Sequence, residues 1–109
     1  MTNSRQKGKR GELEWCKKLG EHGIKSHRSQ QFKGSKDSAD VISPGIPIHW
    51  EVKRKQALNV FRALEKAQED AMAMTDGNEF EMPVVAWRKN GEKWIVCLYA
   101  DDFLRGIAG

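Results

Sequence analysis

ADVISPGIPIHWEVKRK, residues 39–55, is the stretch of sequence that decides the fold. Its second half has the pattern of a β-strand, in which alternate residues point to opposite sides of the sheet. One side is apolar and consists of Ile48, Trp50 and Val52. The other side is polar and consists of His49, Glu51 and Lys53. Asp40 adds a second carboxylate from the preceding predicted strand. The apolar side predicts a core face, and the polar side is either a solvated face or a metal site.

Length and composition are those of one soluble globular domain. The chain has 109 residues, 39% of them hydrophobic and 31% charged, and no apolar run reaches the roughly 18 residues of a membrane-spanning helix. We predict a single domain over residues 1–109, with a basic, flexible segment at residues 1–9. No apolar region of a secretory signal follows that segment, which favours a cytoplasmic protein. Cys16 and Cys97 lie in apolar patterns and are predicted to be reduced core residues.

Basic residues gather in two places, and the formal net charge is +4 at pH 7. The two groups are Arg5, Lys7, Lys9 and Arg10, and Lys53, Arg54 and Lys55. Basic clusters that neutralise phosphates are the usual footprint of nucleic-acid binding. A solvated tail would have the same composition, so charge alone leaves both interpretations open.

The first predicted element is a helix from Gly8 to Leu19, ended by Gly20 and Gly23. Its predicted apolar face consists of Leu13, Trp15, Cys16 and Leu19. Glu12 falls in the middle of that face, whereas Glu14 falls on the opposite side, toward solvent. A carboxylate aimed at a core is costly unless it is paired or bound to a cation. Glu12 therefore either serves a metal or lies solvated in the first turn, where it favours the helix dipole.

The other elements are predicted from periodicity, caps and turns. They are strands at 24–32, 39–43 and 48–53, a helix at 59–74 capped by Asn59, strands at 83–87 and 93–100, and a short helix at 101–107 capped by Asp101 or Asp102. The Asn90-Gly91 pair is a strong hairpin signal between the last two strands. The buried side of the middle helix is predicted to be Val60, Phe61, Leu64, Ala67 and Ala71, with Gln68 close to it. The order αβββαββ predicts an α/β (α+β) domain around one mixed sheet.

The polar side of the 48–53 strand has the chemistry of a hydrolytic metal site. Two carboxylates on adjacent strands, Asp40 and Glu51, can hold Mg²⁺, a hard cation that takes oxygen ligands. Such an ion lowers the pKa of a bound water and neutralises charge on a reacting phosphate. Lys53 can orient the attacking water or stabilise the same charge, and Glu12 can complete the metal shell. His49 shares this face, either beside the metal shell or as a bystander.

These residues and their spacing resemble the PD-(D/E)xK nuclease superfamily, with its restriction-endonuclease-like core. The segments QKGKRGELEWCKKL at 6–19, SADV at 38–41 and HWEVKRKQ at 49–56 look like the small Holliday junction resolvases of archaea and phages. Short phage-type relatives are similar also at 28–32, 51–59 and 94–103. The resemblance covers most of the chain. One departure is Ala39, which stands where the motif's name expects proline.

The resemblance implies a role for each matching residue. It implies metal ligation by Asp40, Glu51 and the carbonyl of Val52, a catalytic role for Lys53, and a metal-linked or structural role for Glu12. Gln68 matches a position where some relatives carry a catalytic glutamine. The implied cofactor is Mg²⁺, with Mn²⁺ able to substitute for it.

The function implied by the resemblance is paired cleavage of a branched DNA, the four-way junction, by a phage-encoded protein in a bacterial or archaeal host. A small domain grips a junction best as a homodimer, whose two-fold symmetry matches that of the substrate. Three polar residues of the first predicted strand either contact phosphate or only lie on its surface, namely Arg28, Gln30 and Gln31. The alternatives are a nuclease acting on nicks, flaps or ends, and a catalytically silent DNA-binding module. The four tryptophans are predicted to be core or dimer-interface residues rather than platforms for stacked bases.

Overall fold

The structure, a computed structural model, describes residues 4–29, 39–74 and 81–109. Their order along the chain is that predicted from the sequence. The elements are α1 (Ser4–Glu21), β1 (His27–Arg28), β2 (Val41–Ile42), β3 (Ile48–Arg54), α2 (Val60–Met74), β4 (Met82–Arg88), β5 (Ile95–Cys97) and α3 (Ala100–Ala108). Gln30, Gln31 and the rest of residues 30–38 lie outside the described residues, as do residues 75–80. In the described ranges, no helix is long and apolar enough to cross a bilayer.

The described strands form one five-stranded mixed sheet in the order β1-β2-β3-β4-β5. The β3 and β4 strands run parallel, and α2 makes the crossover that a parallel pair requires. The other neighbours are antiparallel, and β4 and β5 form the hairpin predicted around Asn90-Gly91. Gly91 has a φ of +75° at this turn, a conformation that glycine adopts without steric cost. The predicted mixed central sheet is therefore confirmed.

The apolar side of β3 packs against α1. Trp15 and Leu19 of α1 form one buried cluster with Trp50 and Val52 of β3, together with residues of β2 and β4. The Trp15 ring lies 5.0 Å from the Trp50 ring in an edge-on arrangement and 5.1 Å from the Trp94 ring. The indole N–H of Trp50 donates to Ser43 Oγ at 3.0 Å, which satisfies its polar atom inside the core. The core prediction for Trp15 and Trp50 is confirmed.

The α2 helix covers the opposite side of the sheet. Ala63 and Leu64 are buried with Val85 of β4 in a second, smaller cluster. Asn59 caps the helix as predicted, because its Oδ1 accepts the backbone N–H of Arg62 at 3.1 Å. The two helices therefore sandwich the sheet and leave the polar residues of β3 facing α2.

The phase of α1 differs from the prediction. The helix begins at Ser4, inside the segment predicted to be flexible. Leu13 is 51% exposed rather than part of the apolar face, because the face turned to the sheet is set by Trp15 and Leu19, four residues apart. Glu14, predicted to face solvent, is half-buried and pairs with two arginines, Arg88 at 2.7 Å and Arg54 at 3.3 Å. The periodicity found the helix but placed its buried face slightly wrongly.

Two further details correct the predictions. Phe61, predicted to be buried, is 82% exposed, whereas Leu64, Ala67 and Ala71 are buried as predicted. The α3 helix is preceded by Tyr99, which makes no side-chain capping bond, and Asp101 and Asp102 lie in its first turn instead. Acidic residues there favour the helix dipole without capping the helix. Cys16 and Cys97 are both free thiols, as predicted.

The close approach of α1 to β3 leads to the first prediction. A Cβ at Gly11 would lie only 2.8 Å from Arg54 Cβ, so Gly11→Ala should lower the free energy of unfolding by about 1–3 kcal/mol. Gly8 lies in the same helix with open space around its Cβ position, so Gly8→Ala should instead add about 0.5–1 kcal/mol. Urea unfolding of both variants measures the difference. Equal effects of the two substitutions would contradict the packing described.

Candidate active site

The pairing of β2 with β3 brings the two predicted acidic ligands together. Val41 pairs with Trp50 in the antiparallel ladder, and the same register places Asp40, just before β2, opposite Glu51. The backbone N–H of Val52 donates to Asp40 Oδ2 at 2.8 Å. Lys53 Nζ lies 3.6 Å from Glu51 Oε1. Asp40, Glu51, Val52 and Lys53 therefore form one cluster at this point of the sheet.

Burial makes the two carboxylates of this cluster difficult to ionise. Burial first, and then the charge of Glu51, raises the pKa of Asp40 from 3.8 to about 7. Burial also raises the pKa of Glu51, against the opposing effects of Lys66 and Lys53. Two like charges in a poorly solvated site disfavour each other's ionised form. A divalent cation would relieve this repulsion, and carboxylate oxygens are the ligands of Mg²⁺, so the residues present fit such an ion.

Glu12 lies close to this cluster but has a partner of its own. Its Oε1 accepts a charged hydrogen bond of 2.8 Å from Nε of Arg28. Its negative charge also contributes to the raised pKa of Asp40. Because α1 begins at Ser4, Glu12 is not in the first turn, and the explanation by the helix dipole is wrong. The structure thus brings Glu12 to the edge of the acidic cluster, held by an ion pair.

The α2 helix contributes two residues that the sequence prediction missed. Asp70 is buried and its Oδ2 accepts from Lys66 Nζ at 2.6 Å. Both residues influence the ionisation of Glu51, which Lys66 favours and Asp70 opposes. A signal existed in the sequence, because Asp70 falls three residues after Ala67 on the predicted buried side of the helix. The argument that selected Glu12, a carboxylate on an apolar face, selects Asp70 equally well.

Gln68 is exposed to solvent on α2. It follows Lys66 by two residues, which is roughly 200° around a helix, so the two side chains leave the helix in nearly opposite directions. The prediction that Gln68 lies close to the buried side is therefore wrong in position. Lys66 and Asp70 are the α2 residues that the structure places beside Glu51.

His49 also faces α2 from β3, as predicted from strand alternation. Only 1% of its surface is exposed, and within the described part of the chain neither ring nitrogen has a hydrogen-bond partner. Burial lowers the pKa of His49, so the ring is neutral at neutral pH. His49 therefore lies buried and neutral on the same side of β3 as Glu51.

The predicted DNA-binding residues occupy different environments. Lys9, Arg10 and Lys55 are exposed, whereas Arg54 is held by Glu14 and, at 2.7 Å, by Asn90 Oδ1. The side chains of Arg5 and Lys7 are not among those described. Arg54 is therefore committed to contacts within the protein, and Lys55 is the exposed cation of that group.

An open groove lies between the end of β3 and the start of α2. Four basic residues line it, together with Glu65 and Glu69: Lys53, Lys55, Arg62 and Lys66. The groove borders the acidic cluster at Lys53, which belongs to both, and Lys66 lines the groove as well. Arg62 and Lys66 were not among the predicted DNA-binding residues, because the sequence does not show that α2 borders the site.

The fold and the cluster together define a class of protein. A mixed sheet between two helices, with an acidic pair and a lysine on two adjacent strands, is the arrangement of the PD-(D/E)xK nucleases. Residues 3–108 match the family described as "Phage putative PDDEXK endonuclease", and the chain belongs to that family. No curated protein matches the chain. The superfamily suggested by Asp40, Glu51 and Lys53 is thus confirmed over nearly the whole sequence.

The raised pKa of Asp40 predicts how stability depends on pH. The folded protein keeps this proton up to about pH 7, whereas an unfolded chain loses it near pH 3.8. Between these values the folded state binds more protons than the unfolded state, so stability falls as pH rises. Asp40→Asn cannot ionise and should lack this part of the decline. In metal-free buffer, the variant should gain stability over the wild type as pH rises from about 4 to about 7.

Chemical unfolding at several pH values in a chelating buffer measures this difference. Asp101→Asn is the matched control, because it removes an exposed carboxylate. A stability difference between Asp40→Asn and wild type that does not change with pH would show that Asp40 ionises normally.

Proposed function

We propose that this protein is a Mg²⁺-dependent endodeoxyribonuclease that resolves four-way (Holliday) junctions by paired, symmetric cuts. The observation that supports the metal-dependent chemistry is the carboxylate pair beside Lys53, formed by the half-buried Asp40 and the buried Glu51. Replacing buried charged groups with apolar residues of similar volume is often neutral or stabilising, so stability alone does not explain two carboxyl groups with raised pKa values next to a lysine. Mn²⁺, which accepts the same oxygen ligands, should replace Mg²⁺.

Each residue of the cluster has a distinct proposed task. Asp40, Glu51 and the carbonyl of Val52 would hold the ion, which when bound lowers the pKa of a water and neutralises charge on the phosphate. Lys53 would orient the attacking water and stabilise the negative charge that develops on the phosphate. Glu12, held by Arg28, would keep the acidic side of the site in place. Lys66 would balance the charge of Glu51 and Asp70 when the ion is absent.

The groove between β3 and α2 would carry the DNA backbone to the cluster. Lys55 and Arg62 are exposed along it, and phosphate contacts from such residues position a duplex without reading its sequence. The exposed Lys9 and Arg10 of α1 would add further contacts. This division predicts that the carboxylates control cleavage while the basic residues control affinity.

Junction specificity is proposed to come from a homodimer. The C-terminal part of the chain carries exposed large apolar side chains on the edge strand β5 and on α3, namely Ile95, Val96, Phe103, Leu104 and Ile107. No residue of α3 is buried. Amphipathic elements of this kind favour association, and a two-fold dimer would present two sites to two opposed strands of a junction. The substrate would be met in the cytoplasm of a bacterial or archaeal host.

Replacing the acidic pair tests the proposed chemistry. Asp40→Ala and Glu51→Ala should each slow single-turnover cleavage by about a thousandfold or more, because a metal ion supplies several kcal/mol of transition-state stabilisation. DNA affinity, measured by fluorescence anisotropy in Ca²⁺, should stay close to that of the wild type. Glu21→Ala, which removes an exposed carboxylate from the end of α1, is the matched control and should cleave normally.

Near wild-type cleavage by Asp40→Ala or Glu51→Ala would refute the assigned site. Tight DNA binding by the wild type without cleavage in any divalent metal would instead favour a silent DNA-binding module.

A mixed dimer tests junction resolution. In a dimer of one wild-type and one Glu51→Ala subunit, only one site is active, so a junction should be nicked in one strand while the wild-type dimer makes paired cuts. A duplex of equal length should be cut far less well, because it cannot occupy both sites. A labelled plasmid cruciform separates nicked from linear products.

Sedimentation showing a monomer, with equal cleavage of duplex and junction, would contradict resolution and leave the endonuclease assignment standing. Preference for nicked or flapped DNA would place the protein among repair or replication nucleases.

A further inference from the structure

The most unusual buried group of the described residues is His49. It is the largest of their fully buried side chains, at 1% exposure, and no other described residue makes a hydrogen bond to either ring nitrogen. A neutral imidazole carries one N–H donor and one acceptor nitrogen. Buried polar atoms are almost always paired with protein or water. A buried imidazole with no hydrogen-bond partner among the described residues therefore calls for a further ligand.

Two carboxylates surround this ring. Glu51 lies two residues along β3 on the same side of the strand, and Asp70 approaches from α2. One ligand atom from each of His49, Glu51 and Asp70 lies within 4.8 Å of the others, and all three residues are buried. A ring nitrogen thus lies within 4.8 Å of an oxygen of each of two buried carboxyl groups.

Lys66 is a cation beside His49, Glu51 and Asp70, but it does not provide a partner for the imidazole of His49. Its Nζ lies 2.6 Å from Asp70 Oδ2, and its side chain is 56% exposed. An ammonium group only donates hydrogen bonds, so it can pair with a carboxylate oxygen of Asp70. Because the Lys66 side chain is largely exposed, it reaches Asp70 from the solvent side. It makes no hydrogen bond to His49. Lys66 therefore balances part of the charge and leaves the imidazole unpaired.

We propose that His49, Glu51 and Asp70 form a second metal site, selective for a divalent transition metal such as Mn²⁺, Co²⁺ or Zn²⁺. One imidazole nitrogen and two carboxylate oxygens suit these ions, whereas Mg²⁺ takes oxygen ligands almost exclusively. The site shares Glu51 with the Asp40 cluster but needs neither Asp40 nor Lys53. It is thus independent of whether the protein cleaves DNA.

Lys66 and a metal ion would compete for Asp70. Binding of the ion should turn the exposed ammonium away toward solvent, and removal of the ammonium should strengthen binding. The site is therefore gated by a residue that also lines the groove between β3 and α2.

Pulsed electron paramagnetic resonance of Mn²⁺ bound to the full chain detects a coordinated imidazole through its nitrogen coupling. We expect this coupling in the wild type and in Asp40→Asn, and its loss in His49→Gln. The chain has three histidines, so the double variant His22→Gln, His27→Gln leaves only His49 and should keep the coupling. Bound Mn²⁺ without nitrogen coupling in the wild type, or coupling that persists in His49→Gln, would overturn the proposal.

Two milder substitutions keep the test valid if His49→Gln does not fold. Asp70→Asn preserves the shape of the side chain and should weaken the affinity for Mn²⁺ at the nitrogen-coupled site by at least about tenfold. Lys66→Gln should tighten it. Calorimetric titration in the Asp40→Asn background isolates this site from the first one, and unchanged affinity in both variants would overturn the proposal.

DNA cleavage and Mn²⁺ coordination, both measured on the wild type, separate this proposal from the proposed nuclease function, because Asp40→Asn should itself lose cleavage. A protein that fails to cleave DNA but shows nitrogen-coupled Mn²⁺ would support the second site alone. A protein that cleaves DNA but binds Mn²⁺ only through oxygen would refute the second site alone.

Discussion

The juxtaposition of Asp40 and Glu51 by the β2–β3 register is the constraint on which the rest of the site depends. Burial raises the pKa of both carboxyl groups, and the charge of Glu51 raises the pKa of Asp40 further. Two neighbouring groups, the Val52 N–H and the Lys53 ammonium, partly offset the cost of ionising these carboxyl groups. The Val52 N–H reaches Asp40 and the ammonium of Lys53 lies beside Glu51, yet the pKa of Asp40 stays near neutrality. A divalent metal ion would supply the positive charge that the two carboxylates still need to be stable in their ionised form.

One strand serves both the stability and the chemistry of this protein. On its α1 side, β3 contributes Trp50 and Val52 to the core built with Trp15. On its α2 side, it presents His49, Glu51 and Lys53. The rigid core therefore holds the polar residues in register, because a slip of one residue would exchange the two faces. On the other edge of β3, seven residue pairs join it to the parallel strand β4 and hold β3 in place.

The sequence contained enough local information to predict the element order and the acidic pair. Alternation in β3, the Asn59 cap and the Asn90-Gly91 turn are signals that act over a few residues. The buried face of each helix is harder to predict, because an error of one residue in the phase turns a side chain by about 100° around the helix axis. Periodicity therefore predicts that Leu13 and Phe61 are buried, whereas both are exposed. Asp70 does carry a local signal, its place on the buried side of α2. Its approach to Glu51 and the pairing of Glu14 with Arg54 and Arg88 depend on contacts between residues distant in sequence, which one sequence alone does not reveal.

The most direct test of this account is the number of protons released when Mg²⁺ binds. Calorimetry in buffers of different ionisation enthalpy gives that number at each pH. Because the pKa of Asp40 is about 7, binding should release about one proton near pH 6 and few near pH 8. In Asp40→Asn the release near pH 6 should fall by about one proton. Mg²⁺ binding without proton release near pH 6, or release unaffected by Asp40→Asn, would contradict the claim that Asp40 and Glu51 form the metal site.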